Sequence, residues 1–164
     1  MQAEEVKSWV ADGRLHKFAS RVIPVPPDVA WRVMTDHAGY ADVADNLSKV
    51  EVVSGEGLGM VRRCHDTGGR SWSETCTVWD DGRAFVFAVH TSAPDYPYPL
   101  TELEGHWRVE PVPQGSKVIL EFAARAKWGV LGRLLLRLMI GPAERICRRL
   151  LERWEDRMIL EEGR

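Results

Sequence analysis

Arg63, His65 and Glu74 are the ionisable residues whose types and spacing invite a chemical reading. If a two-residue turn at Gly68-Gly69 puts them on one face, an arginine and a histidine in a dry pocket would anchor a ligand carbonyl or carboxylate. His65 or Glu74, with a shifted pKa, would then serve as the catalytic acid or base. The competing reading is that Arg63 and Glu74 neutralise each other across the hairpin near a pocket mouth, because unpaired charges do not survive burial. Tyr96 and Tyr98 sit in the proline-stiffened stretch Asp95-Tyr96-Pro97-Tyr98-Pro99. They either flank an entrance, offering polar tips to a ligand, or pack within their own loop. Other catalytic templates are missing. The five histidines have no H-E-x-x-H or paired ligand spacing, so no metal is expected. There is no phosphate loop, nucleophile elbow or dinucleotide fingerprint, and no cofactor is expected. Gly55-Glu56-Gly57-Leu58-Gly59 reads as a turn between strands.

These residues take their positions from a run of strands. Residues 16–24 alternate as a strand, Pro26-Pro27-Asp28 turns into a short helix over 29–35, and a second short helix fits 37–45. Six more strands follow at 47–53, 60–66, 71–79, 84–91, 101–110 and 117–126. A two-residue turn at Gly68-Gly69 sets His65 opposite Trp72, Arg63 opposite Glu74 and Val61 opposite Cys76. Asp81-Gly82 sets Val78 opposite Phe85, Cys76 opposite Phe87 and Glu74 opposite Val89. Both turns collect Val61, Trp72, Cys76, Val78, Phe85, Phe87 and Val89 on a dry face. Arg62, Cys64, Asp66, Ser71, Ser73, Thr75 and Thr77 fall on the wet one. Leu103, Trp107, Val109, Val118, Leu120 and Phe122 extend the dry face.

The cover for that face must come from the segment after Gly129. Leu134, Leu138, Ile146, Leu150, Trp154 and Met158 recur there at multiples of four, interrupted at Gly141-Pro142 by a kink or a helix break. Seven strands at ~4.8 Å make a sheet about 34 Å wide, against a helix about 10 Å across. A curled sheet gripping so slender a helix leaves space for a small apolar ligand. Trp72 and Trp107 are expected to line it, and Trp31 and Trp154 to fill the core.

The chain has 164 residues, 45% of them hydrophobic, with 22 basic against 24 acidic side chains, enough for one domain with a real core. Residues 1–128 hold 14 basic and 18 acidic residues and 129–164 hold 8 and 6, too slight a bias for nucleic acid. Cys64, Cys76 and Cys147 show no paired spacing, and Cys64 and Cys76 fall on opposite faces; a reducing cytoplasm fits. No secretory signal or membrane span is read, although 130–140 with Arg133 and Arg137 has the form of an interfacial segment, so a weak membrane-surface contact joins the possible partners. The competing reading of Arg133, Arg137, Arg145, Arg148, Arg149 and Arg153 together is a solvated face flanking the apolar stripe, helped by Glu144 four residues before Arg148.

Several local patterns resemble the SRPBCC superfamily of START-like helix-grip proteins, which includes the polyketide cyclase/dehydrase family and pollen-allergen-like carriers. They are Pro26-Pro27-Asp28-Val29-Ala30-Trp31 leading to Thr35-Asp36 and Tyr40, then Trp72-Ser73-Glu74, Gly105-His106-Trp107-Arg108-Val109-Glu110-Pro111 before Gly115-Ser116-Lys117-Val118, and Leu131-Gly132-Arg133-Leu134-Leu135. The resemblance implies an α+β helix-grip fold: a curved seven-stranded antiparallel sheet around a long C-terminal helix, with two short helices after the first strand. The domain would span 16–162. Residues 1–15 depart from the family as an extension, read as a helix packing Val6, Trp9 and Val10 on a neighbour.

The expected function is to carry or present a lipid, isoprenoid or polyketide-like molecule, as monomer or homodimer. The alternatives are a cofactor-independent cyclase, aromatase or dehydratase using His65 or Glu74, and a protein- or membrane-surface interaction module. The expected ligand contacts are Arg63, Trp72, Cys76, Phe85, Phe87, Val89, Tyr96, Tyr98, Trp107, Leu120, Phe122 and Leu138.

Overall fold

The computed structural model describes residues 4–164; the first three residues of the expected N-terminal extension lie outside them. Strands β1 (Glu4–Ala11) and β2 (Arg14–Ile23) open the chain. Helices α1 (Pro27–Met34) and α2 (Tyr40–Val43) follow, then β3 (Leu47–Ser54), β4 (Val61–Asp66), β5 (Ser71–Asp80), β6 (Ala84–Val89), β7 (Leu100–Val112) and β8 (Gly115–Ala126). Helices α3 (Gly129–Leu138) and α4 (Ile140–Glu162) complete it. The strands form one antiparallel sheet in the order β1-β2-β8-β7-β6-β5-β4-β3, so α1 and α2 carry the chain from one side of the sheet to the far edge.

The sheet has eight strands among the described residues, not seven. The segment expected as a helix is β1, paired with β2 from Glu4 opposite Arg21 to Ala11 opposite Arg14. Its alternation of half-buried and exposed residues has period two, and Asp12-Gly13, both with positive φ, closes the hairpin as a two-residue turn of this kind requires.

Pro27 starts α1 where its missing N–H is no loss, and α1 buries Val29, Ala30, Trp31, Val33 and Met34. The C-terminal segment is two helices broken at Met139, and Pro142 falls in the first turn of α4. Along α4, Cys147, Leu150, Leu151, Trp154 and Met158 are buried at helical spacing against the sheet. Arg157 to Asp36 and the Gly39 carbonyl, Arg153 and Arg149 to Asp45, and Arg21 to Glu155 tie α4 to the rest of the fold. Helix α3 differs from expectation. Leu134 and Leu138 are exposed, and Gly132 is its only buried residue. A Cβ at Gly132 would meet the Lys127 carbonyl oxygen at 1.8 Å, so only glycine lets α3 lie back against the end of β8.

Candidate functional site

The register of two hairpins decides which side chains face the interior. At the β4–β5 turn the loop holds three residues, Thr67, Gly68 and Gly69, not two. Gly69 N–H donates to the Asp66 carbonyl, Gly69 adopts φ 83°, and the Asp66 carboxylate accepts from the Gly68 and Arg70 N–H groups. That is a type I turn with a left-handed glycine, favoured by Asp at its first position and Gly at its fourth. The pairing becomes His65 with Ser71, Arg63 with Ser73, Arg62 with Glu74 and Cys64 with Trp72. A one-residue slip turns a whole strand over. Arg62, Cys64 and Asp66 therefore face inward, and Arg63, His65 and Val61 face out.

The β5–β6 turn also holds one residue more than expected, since Asp80 pairs with Ala84. Here a bulge between Cys76 and Val78 absorbs the error, so Cys76 still meets Phe87 and Glu74 still meets Val89. Beyond the bulge Val78 is exposed, while Trp79 turns in to pack on Trp31 and Phe85.

Between sheet and helices lies a chamber of about 700 Å³, within the range of small-molecule sites. Its walls are Leu15 and Lys17 from β2, Arg62 and Cys64 from β4, Trp72 and Glu74 from β5, Phe87 and Val89 from β6, Leu103, Gly105 and Trp107 from β7, and Phe122, Ala124 and Ala126 from β8. Tyr40, Tyr98 and Leu100 close its sides, and Ala143, Ile146, Cys147 and Leu150 of α4 cover it. Gly105 has a packing role, because a Cβ there would fall 2.3 Å from the Trp107 ring. Trp128, Leu135, Leu138 and Met139 both line the chamber and meet solvent, which puts the mouth at α3.

A polar node occupies one wall. Arg62 Nε and Nη2 reach Glu74 Oε2 at 2.9 and 2.8 Å, and Trp72 Nε1 donates to Glu74 Oε1 at 2.8 Å. The guanidinium lies 3.8 Å from the Phe87 ring centroid, with Tyr40 and Trp107 at 5.3 and 5.2 Å. Burial raises the Tyr40 pKa. Arg62 Nη1 also donates to His37 Nδ1 at 3.2 Å, so the His37 proton sits on Nε2, which is buried without a partner among the described residues. Burial, and then the Arg62 charge, lower the His37 pKa from 6.5 to about 4.

Acid should therefore weaken the fold through His37. The folded protein favours the neutral ring, so as pH falls the unfolded chain binds the proton first. Stability from this residue is full above pH 6.5 and is lost progressively toward pH 4. The expected loss is about 3 kcal/mol across that window. Urea unfolding at pH 7, 5 and 4 should show a flatter profile for His37→Gln than for the parent.

Of the residues expected at a ligand, Trp72, Phe87, Val89, Tyr98, Trp107, Phe122 and Leu138 line the chamber, as does Glu74. Cys76, Phe85 and Leu120 point inward but lie behind the chamber walls. Phe85 is packed between Trp31 and Trp107. Tyr96 sits in a separate small pocket with His90 and Asp95, beside Tyr98, whose hydroxyl donates to Asp66. Arg63 is on the outer face, bonded to Ser71, Ser73 and Asp95, and His65 pairs there with Glu51. Cys64 and Cys76 share the inner face, contrary to the expected register. Arg62, Tyr40, His37 and Lys17 escaped the sequence reading. The Asp66-Thr67-Gly68-Gly69 turn pattern was the available signal for Arg62, whereas the others needed the tertiary fold.

The geometry is shared with solved structures. A protein of Thermus thermophilus superposes with a TM-score of 0.67 at 24% identity, covering 90% of this chain and 96% of that one. The Zhui aromatase/cyclase from Streptomyces sp. R1128 gives 0.65 at 20% identity, covering 88% and 94%. Ara h 8.0201 gives 0.65 at 15%, covering 90% and 99%. At these identities the likeness establishes the helix-grip fold alone. No curated protein matches the chain. The family described as polyketide cyclase / dehydrase and lipid transport matches residues 16–158, from β2 to near the end of α4 and leaving out only β1 among the strands. With nearly the whole fold inside that match, the chain belongs to this family.

Proposed function

We propose that the protein binds a hydrophobic small molecule, a lipid, isoprenoid or polyketide-like compound, in the chamber and carries or presents it. The observation that supports carriage is the state of the polar node. Both oxygens of Glu74 are engaged, by Trp72 and by Arg62, and His37 is not on the chamber wall. A wall mostly of apolar side chains with its carboxylate committed suits holding a guest better than moving its protons. Native mass spectrometry of the purified protein should reveal a copurified apolar compound. Titration with the neutral dye N-phenyl-1-naphthylamine should saturate at one per chain. Failure of the dye to bind would sink the reading.

Cyclisation or dehydration of a polyketide-like chain is the second reading, favoured by Arg62 and Tyr40 side by side on the wall and by the likeness to an aromatase/cyclase. In that case Arg62 would polarise a ligand carbonyl. Turnover of a candidate polyketide that disappears in Arg62→Lys, with dye binding retained, would move the assignment to an enzyme.

Loading through α3 fits the same reading. No helix among the described residues is long and apolar enough to cross a membrane. Yet Trp128, Val130, Leu131, Leu134, Leu138 and Met139 are all exposed around the mouth. Residues 127–143 carry Lys127, Arg133 and Arg137 and no acidic residue. Unlike Arg148, Arg149, Arg153 and Arg157, which are paired within the fold, these three have no ion-pair partner among the described residues. Such a surface suits an anionic lipid interface. Flotation with phosphatidylserine-containing vesicles should recover the protein at low salt, and Leu131→Glu with Leu134→Glu should abolish recovery. Equal flotation of parent and variant would rule this surface out.

A further inference from the structure

Among the described residues one arginine and one lysine are buried, Arg62 and Lys17, and their situations differ. Arg62 has its counter-ion in Glu74. Lys17 is 7% exposed, lies on the chamber wall opposite Phe122 in the β2–β8 ladder, and its Nζ has no hydrogen-bond partner among the described residues. The carboxylate beside it, Glu144 of α4, takes a hydrogen bond from Ser8 at 2.9 Å and forms no ion pair with Lys17. Cys147 is the other neighbour from α4. Desolvation pushes the Lys17 pKa below the ordinary lysine value, and the Glu144 charge, not paired with it, offsets only part of that cost. An ammonium left unpaired in an apolar wall is unfavourable until an anion reaches it.

We propose that Lys17 is the anchoring site for the carboxylate of an amphiphilic ligand, so that the chamber's guest is an apolar monocarboxylic acid. The proposal rests on the chamber being a ligand site and adds the polar end of the guest. A single negative charge matches a single unneutralised cation; a phosphate dianion would lack a second one, because Arg62 is already committed to Glu74. The side chain lines the chamber and its flexible four-carbon stem would let the ammonium turn toward a bound carboxylate, while the apolar walls from Phe122 to Leu150 would receive the tail.

The probes are cis-parinaric acid and its methyl ester, which share one apolar chain and differ in the carboxylate. At pH 7 the parent protein should bind the acid at least about tenfold more tightly than the ester, as expected for a charge-assisted hydrogen bond in a dry site. Lys17→Met should bind both with the ester's affinity, and Lys17→Arg should keep the preference. Without ligand, Lys17→Met should melt at the same temperature as the parent or higher, because it removes an unpaired buried charge; a merely structural lysine would show the opposite. Equal binding of acid and ester by the parent, a measurement that needs no variant, overturns the proposal and leaves the chamber reading standing. So does a preference that survives in Lys17→Met. Binding of neither probe overturns both.

Discussion

Glu74→Leu is expected to destabilise the protein by about 3–5 kcal/mol, the cost of stranding one member of a buried ion pair. The Arg62 side chain is 2% exposed and that of Glu74 10%, so water cannot replace the lost carboxylate. The same change removes the acceptor of Trp72 Nε1 and leaves the guanidinium held only by His37 and by the faces of Phe87, Tyr40 and Trp107. Added salt should not restore stability, because screening acts weakly on buried pairs. The double change Arg62→Met with Glu74→Leu should recover most of the loss, since two well-packed apolar residues in place of a buried pair are often neutral or stabilising. Urea unfolding of the two variants and the parent measures this. A loss under about 1 kcal/mol in Glu74→Leu, the level of a solvated pair, would mean that the node is hydrated and that the proposed dry wall is wrong.

Ala124→Trp combined with Ala143→Trp is expected to weaken binding of N-phenyl-1-naphthylamine by about 10- to 100-fold, the range that overpacking of a close-fitting site produces. Ala124 projects from β8 and Ala143 from α4, so the two indoles would enter the chamber from facing walls. Neither residue belongs to the buried core cluster, which runs from the α1 side chains through the sheet to Cys147–Met158 of α4. The variant should therefore unfold near the parent's midpoint, and the binding loss can be read as lost volume. Undiminished dye binding would place the dye elsewhere on the surface, with the exposed apolar side chains of α3 the first place to look.

Much of the fold was legible in residue order because burial imposes periodicity. Trp107 and Leu120, a neighbouring pair of β7 and β8, face inward as their alternation requires, and the spacing of Leu150, Trp154 and Met158 marks the helix that the sheet grips. Pro142 located the helix break to within three residues. The polar wall was only half legible. Glu74 faces inward both on the two-residue turn that Asp81-Gly82 suggests and in the structure, because the extra residue of the real turn is offset by a bulge that no local pattern announces. On β4 no bulge intervened, and Arg63 and His65 were exchanged for Arg62 and Cys64.

The alternation of apolar and polar residues, a local property enforced by the hydrophobic effect along each element, was enough by itself to determine an antiparallel sheet, a gripping helix and a space between them. Only the tertiary structure decided which cations that space contains. A strand's parity hinges on one hydrogen-bonded turn, here the Asp66 carboxylate gathering the N–H groups of Gly68 and Arg70, and on which strand lies alongside. Lys17 is unpaired for a similar reason. Its surroundings come from β8 and α4, far away along the chain, and no pattern within β2 records them.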